Sequence, residues 1–356
     1  MKNQRRSLRL AAAAGVIAIS LAGCAKPLPK AEIDTSRLQG QTATQVIERT
    51  SSQTCINPAP TGKPLSEMVV GFSQSENEQN PFRALETASV KAAVESKVKG
   101  FRYTNANSSQ AKQLTDILSM INQGVDALVV APISSTGLQS AFAAAKEKGI
   151  PVVTIDRKTQ GEPCTDYLTF LGSDFYQQGV RAARAMADAT GGTGRVAEIQ
   201  GAPGNDVATM RTRGFHDELA NHPGIRVLAQ QTANWATSEA QQVTEQILAA
   251  RPDINGIYTH SDTMALGALT AVRNYGKAAG EDIHIVSIDG TRDAVKYVAD
   301  GKIHAVVETN PRFGPGALKA IEDWFAGRKI PEESIMKDSL FTHENAQQAV
   351  DSGAAY

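Results

Sequence analysis

Asp156 and Arg157 stand side by side at the end of the apolar run "GIPVVTIDR". A carboxylate accepts hydrogen bonds and a guanidinium donates them in a planar fork, so such a pair can hold neighbouring hydroxyls from two sides. Taken alone it reads equally well as a solvated ion pair at a strand end. Its weight comes from other residues in equivalent places. After the run "EMVVGFS" come Ser73, Gln74, Asn80, Phe82 and Arg83, and after "FRYTNA" come Asn105 and Asn107. Further on, Asn205, Asp206, Trp235, Ser261, Asp262, Asp289 and Thr309 follow later runs, with Arg211 a turn into a helix. Acids, arginines and amides with two aromatics make the chemistry of sugar recognition, because an aromatic face covers the C–H side of a ring. Asp262 is expected to cap the helix "TMALGAL". Phe82 and Trp235 serve as well in a core, and Arg211 as an exposed helix charge.

Other chemistries find less support. The six histidines, His216, His222, His260, His284, His304 and His343, show no metal-ligand spacing, and no GxSxG elbow occurs. Asp156 and Asp289 could form a glycosidase pair, but nothing requires it. The glycines of "GGTGR" and "GAPGN" fit helix stops and turns better than a dinucleotide fingerprint. The reading is a binding protein, not an enzyme, with no cofactor and no metal.

The elements that must position these residues alternate. Short, continuously apolar runs, as in "DALVVAP" and "PVVTID", are separated by amphipathic helical patterns such as "FRALETASVKAAVESK" and "SQAKQLTDILSMINQG". That is a parallel sheet covered on both faces. A second series begins near Tyr167. Two doubly wound α/β lobes result, and ligands in such sheets bind beyond the carboxyl ends of the strands.

The chain opens with Lys2, Arg5, Arg6 and Arg9, an apolar run from Leu10 to Ala22, and Leu21-Ala22-Gly23-Cys24. This is the pattern of a signal peptide over residues 1–23, with a lipobox that makes Cys24 the lipidated first residue. The apolar run is shorter than the ~20 residues of a membrane span. The whole chain holds 36 Lys and Arg against 37 Asp and Glu, and the leader removes four basic residues and no acid. The mature balance is acidic without a basic block, which argues against nucleic acid as partner. Residues 24–65 read as a polar linker, with a short helix near "ATQVIERT". Cys55 and Cys164 are then an even pair in an oxidising compartment, which points to a disulfide, with two free thiols as the alternative.

The segments "VGFSQSENEQNPFRALETA", "GVDALVVAPISSTGL", "GIPVVTIDR", "IQGAPGNDVATMRTRGF", "HSDTMALGAL", "VSIDGT" and "HAVVETNPRFGP" resemble, in order and spacing, the type I periplasmic sugar-binding proteins of ABC importers, specifically the ribose and galactofuranose branch. "FSQ" followed by "FRALET" is most similar to the galactofuranose type. The resemblance implies a flytrap of two lobes joined by a three-strand hinge near Ser173, Thr309 and Asp338. One lobe would hold 66–172 with 310–338, the other 173–309 with 339–356. It implies a monosaccharide held by Ser73, Asn80, Phe82, Arg83, Asn107, Asp156, Arg157, Arg211, Trp235, Ser261, Asp289 and Thr309. Ser261 stands where the family commonly has Asn, and the first loop differs in length from the galactofuranose type. The partners implied are ABC permease subunits with a separate ATPase. The protein would be a monomer, held by its lipid to the outer face of the membrane or in the periplasm. The rival readings are a sensory module feeding a chemoreceptor or kinase and, at greater distance, an extracellular carbohydrate-active enzyme.

Overall fold

The computed structural model describes residues 35, 37, 38 and 40–356, so the leader and Cys24 lie outside the described residues. The chain begins with α1 (Ala43–Val46), β1 (Ile47–Thr50) and β2 (Thr54–Cys55). It continues through β3 (Val69–Gln74), α2 (Pro81–Val94), β4 (Gly100–Asn105), α3 (Gln110–Asn122), β5 (Ala127–Val130), α4 (Gln139–Glu147), β6 (Val152–Ile155) and β7 (Thr169–Gly172). The second series is α5 (Phe175–Ala189), β8 (Gly194–Gln200), α6 (Asp206–Leu219), β9 (Ile225–Thr232), α7 (Thr237–Ala250), β10 (Gly256–Thr259), α8 (Asp262–Asn274), β11 (His284–Asp289), α9 (Arg292–Ala299) and β12 (Ala305–Glu308). Then come α10 (Gly314–Phe325), β13 (Ile330–Pro331), β14 (Glu333–Met336), β15 (Leu340–Thr342) and α11 (Ala346–Ser352).

The strands form two large sheets, ordered β1-β14-β7-β6-β5-β3-β4 and β15-β12-β11-β10-β8-β9. Pairing is parallel except at the edge strands β1 and β15. Every residue of β5, β6, β7, β10 and β12 is buried. Strands covered by helices on both faces must be apolar throughout, which is why these segments lack alternation. Helix starts follow local chemistry. Asn80 Oδ1 accepts the Phe82 amide at 3.0 Å, with Pro81 in the first turn of α2.

The chain passes between the sheets three times: from β7 to α5, from β12 to α10 and from β14 to β15. One carboxylate gathers all three passages. Asp338 Oδ1 accepts from Ser173 Oγ at 2.9 Å and the Asn310 amide at 3.0 Å, and Oδ2 accepts from Gln178 Nε2 at 2.8 Å.

The linker expectation requires a correction. From Thr42 onward the segment is folded onto the first lobe. After α1 the "IERT" stretch is a strand, pairing antiparallel with β14, and β2 pairs with β13. Polar composition suggested a free tether, but an open sheet edge offers unpaired backbone groups that a polar strand can satisfy. Lys63 Nζ meets Asp126 Oδ1 at 2.6 Å, and Cys55 and Cys164 form a disulfide with Cα atoms 5.5 Å apart. No helix among the described residues is long and apolar enough to cross a membrane.

The bridge closes a separation of 109 residues. Loss of such a cross-link enlarges the unfolded ensemble and typically costs about 2–4 kcal/mol. The Cys55→Ser, Cys164→Ser double variant should therefore unfold at lower urea, with the denaturation slope as the check on the unfolded state. Peptide mapping of unreduced protein should find the two cysteines in one cross-linked species; free, alkylatable thiols at both would show that the bridge does not form.

Candidate functional site

A cleft between the lobes is lined by Glu76, Asn80, Phe82, Arg83, Asp156 and Arg157 from the first and by Val207, Arg211, Trp235, Ser261, Asp289 and Thr309 from the second. All lie at the carboxyl ends of strands or in the loops and helix starts that follow. Three arginines face three acids, so most of the charge of the lining is met within it.

Neighbouring residues of a strand point to opposite faces, yet Asp156 and Arg157 both reach the cleft. The backbone explains this. Asp156 has φ 65°, which breaks the alternation just beyond β6, and its amide still donates to Leu171 O at 2.9 Å. A non-glycine residue in that region costs of order 1–3 kcal/mol and persists where its surroundings enforce it. Arg83 Nη1 lies 2.6 Å from Asp156 Oδ2 and 2.8 Å from Glu86 Oε2, while its Nε donates to Glu76 Oε2 at 3.1 Å. Arg157 Nη2 donates to Glu76 Oε1 at 2.7 Å and Nη1 to Ile133 O at 3.0 Å. Glu76 thus bridges two arginines. Burial alone would raise its pKa, but Arg157 and Arg83 bring it down to about 2.

In the second lobe Arg211 donates to Gln178 Oε1 at 3.0 Å, His260 O at 2.5 Å and Thr309 Oγ1 at 2.7 Å, and lies 3.8 Å from Asp289 Oδ1. Gln178 also reaches Asp338, so one amide links the cleft to the crossing strands. Trp235 has φ 65° and packs its ring against Gly201, where an added Cβ would come within 1.8 Å of Trp235 Cη2. The indole can lie there only because residue 201 has no side chain. Arg211 is 5.9 Å from the indole centroid, within cation–π range. Asp289 is buried, with φ 139°. Burial pushes its carboxyl up to about 8, Asp262 adding to the rise and Arg211 opposing it.

Among these buried groups, Arg157 Nε and Trp235 Nε1 have no hydrogen-bond partner, whereas Asp156 Oδ2 is held by its ion pair with Arg83. Such atoms cost about 1–3 kcal/mol each unless something pairs with them. The cleft is therefore short of partners for two donors, and it offers apolar cover from Phe82 and Trp235.

The structure brings together ten of the twelve expected ligand-binding residues and leaves two out. Ser73 lies inside β3, which runs on to Gln74, and it is wholly buried with Oγ accepting from Gln113 Nε2 at 3.4 Å. Asn107 is exposed at φ 49°, where the chain rolls away from the cleft. Gln74 and Asn105 act beneath the site, Gln74 donating to Glu86 Oε2 at 2.9 Å and Asn105 to Glu76 O at 2.7 Å. Asn205 caps α6, and Asp206 Oδ1 accepts the Lys158 amide at 3.1 Å across the lobes. The cap of α8 is Ser261, not Asp262. Asp262 instead holds the turn after β11, accepting from Gly290 N at 2.8 Å and Thr291 N at 2.7 Å. Glu76 and Val207 escaped sequence reading. Glu76 sits in "ENEQN", where any acid looks solvated, although two cleft arginines beside the single Asp156 already called for another acid.

A family model described as a periplasmic binding protein domain matches residues 70–323. The ribose import binding protein of Bacillus subtilis is 34% identical over 269 residues, covering 74% of this chain and 84% of that protein. The galactofuranose-binding protein of Escherichia coli is 30% identical over 289 residues, 80% of this chain and 91% of its own. Among solved structures, the periplasmic binding component of the arabinose ABC transporter from Shewanella sp. ANA-3, bound to α- and β-L-arabinofuranose, superposes with a TM-score of 0.77 at 33% identity, over 80% of this chain and 95% of that one. These relatives are binding proteins, not enzymes. The chain belongs to the periplasmic binding protein family, whose members are exported.

Asp289 also supplies a pH test of the ligand-free protein. The unfolded chain ionises this group at about pH 3.9, the folded chain only at about 8. Its contribution to stability is complete below the unfolded value and is lost as pH rises through the folded one. Asp289→Asn cannot ionise, so its melting temperature should fall less than the wild type's between about pH 6 and pH 9. Parallel melting curves would mean that Asp289 is already ionised at neutral pH.

Proposed function

We propose that the protein captures a neutral monosaccharide in its furanose ring form between the two lobes and delivers it to an ABC permease, the ATPase being a separate chain. The observation that carries this reading is the pair of buried donors without a partner, Arg157 Nε and Trp235 Nε1, beside the carboxylate of Asp156 in a cleft whose arginines are largely met by its own acids. A polyol supplies both donors and acceptors and brings no charge. A phosphorylated or carboxylated solute would compete with Glu76 and Asp156 for Arg83 and Arg157, which those acids already hold. Phe82 and Trp235 cover the C–H faces of the ring from opposite lobes, so full contact exists only when the lobes are shut, and ligand binding favours the closed state. The furanose preference is supported by the relatives named for galactofuranose and solved with arabinofuranose.

The moving units are residues 66–172 with 310–338 and residues 173–309 with 339–356, joined by the three passages gathered at Asp338. The N-terminal segment from Thr42 travels with the first of them. A lipid on Cys24 would hold the monomer at the outer face of the membrane, and its attachment would run through that segment.

Thermal melting in the presence of D-ribose, L-arabinose, D-galactose and D-fucose tests the reading, because a ligand of the folded state raises its apparent stability. At least one should raise the midpoint in proportion to the logarithm of its concentration; a flat response to all four, with glucose 6-phosphate or an amino acid active instead, would overturn it. Asp156→Ala should lower affinity for the active sugar at least about tenfold, the equivalent of about 1.4 kcal/mol, with the ligand-free melt retained. For Trp235→Ala, scattering should show reduced sugar-induced compaction. Full compaction in that variant would place Trp235 in the second-lobe core alone.

A further inference from the structure

We infer that Tyr356 is a positioning residue for the binding site, its hydroxyl holding the backbone of Asp289 and Thr309 from behind the cleft. It rests on the reading that those two residues face the bound sugar. Helix α11 stops at Gly353, which has φ 66°, and the chain folds back beneath the turn that follows β11. There Tyr356 N donates to Gly290 O at 3.1 Å, and Tyr356 O accepts from the Arg292 amide. The buried hydroxyl reaches Asp289 O at 3.0 Å and Thr309 O at 3.1 Å. Both carbonyls belong to residues that line the cleft, whereas Tyr356 does not.

The need for such a support is local. Asp289 has φ 139°, a conformation that costs a side-chain-bearing residue energy and survives only where neighbours enforce it. One flank of the turn is held by Asp262, which accepts from Gly290 N and Thr291 N. The opposite flank is held by Tyr356. Thr309 is equally exacting, because its Oγ1 receives Arg211 Nη2 at 2.7 Å and Gln178 Nε2 at 3.1 Å. A shift of its backbone displaces the guanidinium that serves the cleft. The ring completes the link: it joins the apolar cluster of the first lobe that contains Phe82 and Phe313, and Arg312 lies 5.8 Å above it. One side chain thus touches the ligand-bearing turn, a crossing strand and the core of the opposite lobe. A tyrosine kept for packing alone would need only its ring.

Tyr356→Phe in the full chain separates the two roles, since it keeps the ring and removes the hydroxyl. Hydrogen–deuterium exchange of the ligand-free protein should quicken at Gly290, Thr291 and Thr309 by roughly fivefold, the worth of one ordinary hydrogen bond, with the rest of the second lobe unchanged. D-ribose, L-arabinose and D-galactose are the affinity probes. The sugar that binds the wild type should bind the variant roughly five- to tenfold more weakly, mainly through faster dissociation. Unchanged exchange at those amides together with unchanged affinity overturns the inference, as does a lowered melt with exchange raised evenly throughout the lobe. Asp289→Ala keeps the two readings apart. If that variant binds like wild type, the sugar-site reading fails, and the exchange result still decides the role of Tyr356.

Discussion

The carboxylate of Asp338 is the point on which the architecture turns. The two lobes have separate cores, each a parallel sheet between apolar clusters, and are joined by the three passages that this group draws together. Ser173, Asn310 and Gln178, one from each of the first two passages and one from the helix that starts the second lobe, all donate to this single group on the third passage. The arrangement fixes where the three passages meet. Gln178 then carries the linkage onward, donating from Nε2 to Asp338 and accepting from Arg211 Nε at its oxygen. A ligand that draws on Arg211 acts on a group two hydrogen bonds removed from the pivot.

Above that pivot the site stores strain where specificity is needed. Asp156, Trp235 and Asp289 all have positive φ. Each sits at the end of a strand, just beyond it or in the loop that follows, where an ordinary backbone would send the side chain elsewhere. The rigid sheets supply the fixed ends against which these turns are held. Asp262 contributes as a brace, Gly201 by leaving room for an indole. None of the three strained positions could be relaxed to a common conformation without removing its side chain from the cleft.

Much of this was legible in the sequence, and the failures have physical causes. Alternating apolar runs and amphipathic helices announce the two sheets because burial on both faces leaves no other composition open to a strand. The edge where Asp156, Arg211 and Asp289 gather follows from the same logic. Ser73 was misplaced by a boundary of one residue, since a strand's period of two sends successive side chains to opposite sides. Asn107 was misplaced by two consecutive left-handed residues, Asn107 and Ser108, which no apolar pattern reveals. The N-terminal strand escaped because an edge strand is chosen by the backbone it completes, and "IERT" carries no apolar signature of its own. Glu76 needed a charge count across distant segments, which a reading of strand ends alone does not make.

The balance of charge within the cleft has a kinetic consequence. Glu76 answers both Arg83 and Arg157, and a neutral solute, as proposed, would not respond to whatever field remains. Long-range attraction, which speeds the encounter of charged ligands with oppositely charged sites and fades with ionic strength, is therefore absent from capture. On that reading the rate of capture would be left to diffusion and to access to the cleft, and would be the same in dilute and in saline surroundings.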